Sequence, residues 1–131
     1  MGKRALINWN AVARFMSILL VVNGVFMFAV SIFSFFNKED VFQGIFFSSL
    51  ALLVLGAIGI YFFKQYEIES LRREGYIIVT FGWILMALTG TLPYITSGVF
   101  PSFTDAFFET MSGYTTVGAS VMQDVEQVPH G

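Results

Sequence analysis

Residues 15–36 read FMSILLVVNGVFMFAVSIFSFF, 22 consecutive positions without a charged side chain. A helix that crosses the hydrocarbon core of a bilayer needs about 20 mostly apolar residues. Residues 41–63 and 75–95 also contain no Asp, Glu, Lys or Arg. The sequence therefore predicts three membrane-spanning helices, which take up more than half of the 131 residues.

The composition supports a membrane protein over a soluble or disordered one. Charged residues make up 12% of the chain, about half the share of a soluble domain. With 16 Phe, 5 Tyr and 2 Trp the chain is too apolar for disorder. The net charge of −2 offers no basic surface, so we expect no nucleic-acid partner. Because Cys is absent and the single histidine is His130, we expect no disulfide, no metal site built from these residues and no catalytic histidine.

The basic residues predict the orientation of the spans. Lys3, Arg4 and Arg14 precede the first apolar run, and residues 64–74 are again rich in Lys and Arg, whereas the turn at 37–40 holds a single lysine. Since cytoplasmic loops are enriched in Lys and Arg, the N-terminus and the second loop should face the cytoplasm. A signal peptide is the alternative for the first run, but its apolar core is usually about 7–15 residues long.

Polar and small residues interrupt the apolar runs. Asn23, near the middle of the first span, fits either a polar contact in a permeation path or a hydrogen bond between helices, and we favour the second. Pro93 should kink or end the third span. Small residues that should let the helices approach closely are Ser48, Ser49, Gly56, Gly59, Gly82 and Gly90.

The last third of the chain departs from this pattern. Turn residues around Gly98 and Pro101 follow the third span. Ser102 or Thr104 can cap a helix of about ten residues that ends near Gly113. Such a helix is too short to span a bilayer, but it is long enough to re-enter one.

Residues 115–120 should form irregular backbone directly after this short helix. Irregular backbone at membrane depth is tolerated only where it is buried in protein or lines a water-filled cavity. The negative C-terminal end of a helix favours a cation, and backbone carbonyls can replace the water shell of that cation. Asp124 and Glu126 would then lie at the outer mouth and concentrate cations.

The same residues also fit a helix outside the membrane. Asp105 and Glu109 lie four positions apart and would both be solvated there, and a lone Thr-Val-Gly triplet is weak evidence for a filter. The alternative function is then a small multi-span assembly or regulatory protein without a pore. An enzyme is not expected, because this carboxylate pair has no nucleophile or base beside it.

Five motifs from Arg73 onward resemble, in order and spacing, the first pore repeat of the TrkH family of potassium uptake proteins, in the Trk/Ktr/HKT superfamily. They are REGY at 73–76, LPY at 92–94, SFTDAFFE at 102–109, SGYTTVGAS at 112–120 and VPHG at 128–131. The first two spans fit the accessory N-terminal helix pair of that family. The resemblance thus divides the chain into a cytoplasmic lead with the accessory pair (1–72) and an outer helix, pore helix and filter (73–131).

The resemblance implies an all-α membrane protein with a re-entrant pore helix and filter loop. It implies four such repeats in one polypeptide, so the chain looks like an N-terminal fragment that lacks the second helix of its repeat and does not conduct potassium alone. It also implies a bacterial inner-membrane location, contact with lipid, a homodimer and a cytosolic, TrkA-like nucleotide-binding regulatory subunit. Potassium is then the substrate, and no cofactor is expected.

By position in this resemblance, the filter carbonyls belong to Thr115, Thr116, Val117 and Gly118. Potassium would contact Thr116 and Val117 most directly. Gly118 resembles the potassium-selective type, because some relatives have Ser there, while Val117 departs from the Thr that Trk filters more often carry. Asp105 and Glu109 are expected to hold the pore helix by hydrogen bonds and not to bind ions.

Overall fold

A computed structural model describes residues 7–38, 40–65 and 74–122 of the chain. The described residues form four α-helices and no β-strand: α1 Trp9–Phe36, α2 Phe42–Phe62, α3 Gly75–Thr96 and α4 Phe103–Tyr114. The first three are each long and apolar enough to cross a membrane. The predicted all-α class with three spanning helices and a shorter fourth helix is therefore confirmed.

The start of α1 differs from the predicted position, whereas α3 ends one residue beyond the predicted third span, so of the two alternatives for Pro93 the one that ends the helix is wrong. α1 begins at Trp9, six residues before the predicted start, because the Asn8 side chain accepts a hydrogen bond from the Ala11 amide at 3.2 Å. Asparagine at this position satisfies amides that the first helical turn leaves unpaired. α3 does not end at Pro93 but continues to Thr96. A proline removes only its own N–H from the helix, and the following residues still find partners, as Ser97 does by donating its amide to the Pro93 carbonyl at 3.0 Å.

Glycines bring α1 and α2 into direct contact along their length. A Cβ atom added at Gly56 would lie 2.6 Å from the Val21 side chain and 2.9 Å from the Ser17 carbonyl oxygen. A Cβ at Gly59 would overlap the Ser17 hydroxyl in the same way. The prediction that these small residues permit close helix approach is confirmed. α2 also reaches α3, where the Ser48 and Thr96 hydroxyls lie 3.4 Å apart.

Polar side chains are buried inside the bundle, and large apolar ones point outward. Ser31, Ser49 and Thr91 have no exposed surface, whereas Phe26 and Phe47 are 69% and 66% exposed. A protein dissolved in water would bury these phenylalanines. In lipid, helices associate through small residues and hydrogen bonds, so this distribution fits a membrane environment.

The start of α1 lies beside the start of α3. The Asn8 amide donates to a carboxylate oxygen of Glu74 at 3.1 Å, and Glu74 is buried. α1 and α3 therefore begin at the same end of the bundle, and α2 runs in the opposite direction. Three consecutive membrane spans joined by short loops must have this arrangement. Some predicted features lie outside the described residues, namely part of the basic N-terminal lead, most of the charged connector at 66–73, the acidic outer mouth and the last motif: Lys3, Arg4, Arg73, Asp124, Glu126, His130.

Candidate functional site

α4 begins where the sequence predicted it. Ser102 has extended backbone at the N-cap position, with φ −111° and ψ 132°, and Asp105 lies in the first helical turn. An acidic side chain there is stabilised by the positive end of the helix. The Ser102 side chain makes no capping hydrogen bond in the described structure, so this residue caps α4 by position only.

α4 ends at Tyr114 in a Schellman motif, in which two amides beyond the helix bond back to its last turn. The Thr116 amide donates to the Gly113 carbonyl at 3.2 Å, and the Val117 amide donates to the Ser112 carbonyl at 3.1 Å. This geometry places Thr116 in the left-handed region, with φ +58°. A β-branched residue rarely adopts that conformation, which costs on the order of 1–3 kcal/mol. Backbone strain is therefore located inside the predicted filter segment.

The four backbone carbonyls directly after α4, those of residues 115–118, accept no hydrogen bond from any described residue. Residues 117–122 belong to no helix or strand, and Gly118 has φ +72°. The segment is exposed, with Val117 at 70%. The four predicted filter residues Thr115, Thr116, Val117 and Gly118 thus form one short segment of available oxygen acceptors.

Side chains of α4 hold the far end of this segment. Glu109 accepts a hydrogen bond from the Ser120 hydroxyl at 2.9 Å with one carboxylate oxygen and from the Val121 amide at 3.1 Å with the other. The Ser112 hydroxyl donates to the Ala119 carbonyl. Asp105 has no hydrogen bond to any residue in the described ranges, so of the two carboxylates only Glu109 ties the segment to α4.

A separate group of side chains holds the near end. The Tyr114 hydroxyl donates to Oδ1 of Asn23 at 2.7 Å, and Nδ2 of Asn23 donates to the Thr89 hydroxyl at 2.8 Å. Asn23 is 3% exposed. It therefore makes the hydrogen bond between helices that the sequence favoured over a contact in a permeation path. Tyr114 and Thr89 were not singled out from the sequence, because their meeting with Asn23 depends on how three helices pack.

The contact between α3 and α4 depends on Gly90. A Cβ atom there would lie 2.6 Å from the Thr110 side chain and 2.8 Å from the Tyr114 ring. Thr110 is buried, and Ala106, one turn earlier, has no exposed surface. The small residue at position 90 thus fixes how closely the end of α4 approaches α3.

A cavity of about 420 Å³ lies among the four helices, and the end of α4 lines it through Gly113 and Tyr114. Its walls are mostly apolar, and its polar side chains are those of Asn23, Tyr94, Ser97, Glu109, Thr110 and Tyr114. In the described residues no three His, Cys, Asp or Glu side chains come together.

Comparison with curated proteins finds relatives over most of the chain. The chain is 28% identical over 123 residues to the Trk system potassium uptake protein TrkH of Vibrio parahaemolyticus, covering 93% of this chain and 25% of the relative. It is 35% identical over 95 residues to TrkG of Escherichia coli, covering 72% of this chain and 20% of the relative. TrkH of Escherichia coli is 26% identical over 124 residues.

The chain spans about a quarter of the length of the curated relatives it matches. No family model matches it. No solved structure matches it either. The resemblance to TrkH proteins noted in the sequence is confirmed by these relatives, whose names describe potassium uptake, a transport function and not an enzymatic one.

Proposed function

We propose that this chain supplies the first filter segment of a Trk-type potassium uptake protein in the bacterial inner membrane. The observation that carries the proposal is the row of unbonded carbonyl oxygens at residues 115–118, directly beyond the C-terminal end of α4. The similarity to TrkH and TrkG supports potassium as the cation.

The local geometry suits a cation that gives up its water shell. The C-terminal end of a helix carries roughly half a negative charge, which attracts the ion. Carbonyl oxygens then take the place of water, as they do in potassium filters. Positive φ angles at Thr116 and Gly118 interrupt helix and strand formation, which leaves these oxygens available. In this proposal the ion contacts Thr116 and Val117 most directly, with Thr115 and Gly118 on either side.

One segment does not complete a filter. A ring of carbonyls needs four such segments, so in this proposal the three others come from further repeats of a longer polypeptide. Two such polypeptides form a homodimer, and a cytosolic, TrkA-like nucleotide-binding subunit regulates the pore. The N-terminus lies in the cytoplasm, α4 re-enters from the outer side, and the accessory pair α1–α2 covers the first repeat.

The test is potassium uptake by the complete protein that contains this sequence, in a bacterium without uptake systems of its own. Gly118→Ser should lower the preference for potassium over sodium by about tenfold or more, because serine is strained at a φ of +72°. The matched control is Gly113→Ser, since Gly113 is helical and its Cβ would meet nothing within 4 Å.

Two results would argue against the proposal. An unaltered protein that does not restore growth at low potassium has another function. A Gly118→Ser protein with the same ion preference as the Gly113→Ser control has its filter elsewhere.

A further inference from the structure

A chain of hydrogen bonds connects the accessory helix α1 to the end of α4. The Tyr114 hydroxyl donates to Asn23, Asn23 donates to Thr89, and the Thr89 hydroxyl donates to the Leu85 carbonyl at 2.8 Å. These groups come from three helices, and Asn23 lies 91 positions before Tyr114 in the sequence. This row of hydrogen bonds ends on the Leu85 carbonyl of α3. It therefore connects both α1 and α4 to the same turn of α3.

Asn23 uses both halves of its amide in this chain. Its carbonyl oxygen accepts from Tyr114 and its NH₂ group donates to Thr89. The residue is buried within the apolar span of α1. An asparagine left without hydrogen-bond partners in such apolar surroundings is costly. The side chain is therefore held in one orientation by its two partners.

Tyr114 connects the fixed Asn23 side chain to the start of the filter segment. It is the last residue of α4, and Thr115 follows it. Its ring lies against Gly90 of α3, where an added Cβ would come within 2.8 Å of it. With the ring packed on one helix and the hydroxyl bonded to another, the end of α4 has little freedom to shift. Glu109 holds the other end of the segment through Ser120 and Val121.

We propose that Asn23 of the accessory helix α1 is a positioning residue for the filter segment, acting through the hydroxyl of Tyr114. Asn23 does not contact the ion; it fixes the helix end from which the ion-facing carbonyls extend. The accessory pair is therefore part of the selectivity apparatus and not only a lipid-facing addition. This inference rests on the proposed function of residues 115–118.

The experiment compares three variants in the complete uptake protein. Tyr114→Phe removes one hydroxyl and no packing volume, and Asn23→Leu removes the amide at similar size. Each should lower the preference for potassium over sodium by about threefold or more, the effect of one lost hydrogen bond. The double variant should be no worse than the more affected single variant, because both remove the same bond.

Tyr94→Phe is the matched control. Tyr94 lines the same cavity, but its hydroxyl makes no hydrogen bond with any residue that the structure describes. This variant should keep the ion preference of the unaltered protein. The amount of each protein in the membrane is measured alongside, since a purely structural role of Asn23 would lower that amount and leave the ion preference unchanged.

The outcomes separate the inference from the proposed function. If the unaltered protein takes up potassium and Tyr114→Phe keeps its ion preference, the positioning role is wrong while the proposed function stands. Should Asn23→Leu fail to reach the membrane, the isosteric Tyr114→Phe variant still decides. A protein that takes up no potassium in its unaltered form overturns both.

Discussion

Thr116 and Gly98 occupy equivalent positions at the ends of α4 and α3. The end of α3 is also a Schellman motif, since the Gly98 amide donates to the Ile95 carbonyl and the Val99 amide to the Tyr94 carbonyl, each at 3.2 Å. Both have left-handed backbone, at φ +58° and φ +70°. Glycine adopts this conformation without cost, whereas threonine does not. The link between α3 and α4 therefore has the residue its geometry favours, whereas the candidate filter segment 115–118 has a threonine there; Lys38, after α1, is the other described non-glycine residue with a positive φ. Such strain persists where surrounding contacts hold the chain, here those of Tyr114 and Glu109.

Among single residues, Glu109 also affects this segment. Glu109→Gln should loosen the backbone at Ser120 and Val121, where the segment after α4 is tied to the helix. The carboxylate accepts hydrogen bonds with both oxygens, and a glutamine amide keeps only one acceptor. We expect the Val121 or Ser120 bond to be lost and the Val121 amide to exchange with solvent about tenfold faster, as measured by hydrogen–deuterium exchange.

Asp105→Asn is the control for that measurement. Asp105 lies on the same helix and makes no hydrogen bond within the described residues, so its substitution should leave exchange at Val121 unchanged. Equal exchange in both variants would mean that Glu109 does not hold the segment.

At the scale of elements, α4 is placed by its contact with α3 and by one bond to α1. Its own amphipathic sequence determines a short helix but not which surface it approaches. Gly90 determines that surface, because it leaves room for Thr110 and the Tyr114 ring. The α1–α2 hairpin has the most extensive helix–helix interface in the described structure, and it reaches α4 through Asn23.

Gly90→Ala should therefore displace α4. The added methyl group would come within 2.6 Å of the Thr110 side chain and 2.8 Å of the Tyr114 ring. Both side chains are packed against α3 and have little room to move. Overpacking of this kind costs about 1–3 kcal/mol. The free energy of unfolding of the purified chain in detergent micelles measures this loss.

Gly82→Ala is the matched substitution in the same helix. Its Cβ would meet the flexible end of the Leu19 side chain at 3.1 Å, which can move aside. We expect a clearly smaller change in the free energy of unfolding. If both substitutions cost the same, the α3–α4 contact is not specifically dependent on position 90.

At the scale of the whole molecule, the predicted orientation in the membrane rests on the three spans and the basic residues at their ends. Single cysteines test it, since the chain has no Cys of its own. Asp40→Cys should react with a bulky membrane-impermeant reagent from outside the cell, and Lys64→Cys should react only after the membrane is opened. Both positions are exposed and lie at opposite ends of α2.

Thr116→Cys distinguishes a re-entrant α4 from an external helix. In the complete protein, a residue inside a narrow pore should react with a small cationic reagent and not with a bulky one. Reaction with the bulky reagent as fast as at Asp40→Cys would place α4 outside the membrane and favour the alternative, a multi-span protein without a pore.

The amino-acid sequence by itself determined the three spans, the short fourth helix and the irregular segment after it. Charged residues are too costly in hydrocarbon, so their spacing delimits the spans, and glycine and proline mark the links. The family resemblance located the candidate filter at residues 115–118. The sequence also indicated that Asn23 would bond to another helix, without indicating which residue would meet it.

Only the tertiary structure decided the contacts between distant residues. Asn23 meets Tyr114, and Gly90 receives the Tyr114 ring, because three helices pack at one particular rotation and depth. The left-handed conformation of Thr116 likewise depends on how α4 ends. The sequence alone would not predict it, because β-branched residues rarely adopt that conformation. Helix formation and membrane insertion depend on local composition, whereas pairing of polar groups depends on which neighbours are within about 3 Å after packing.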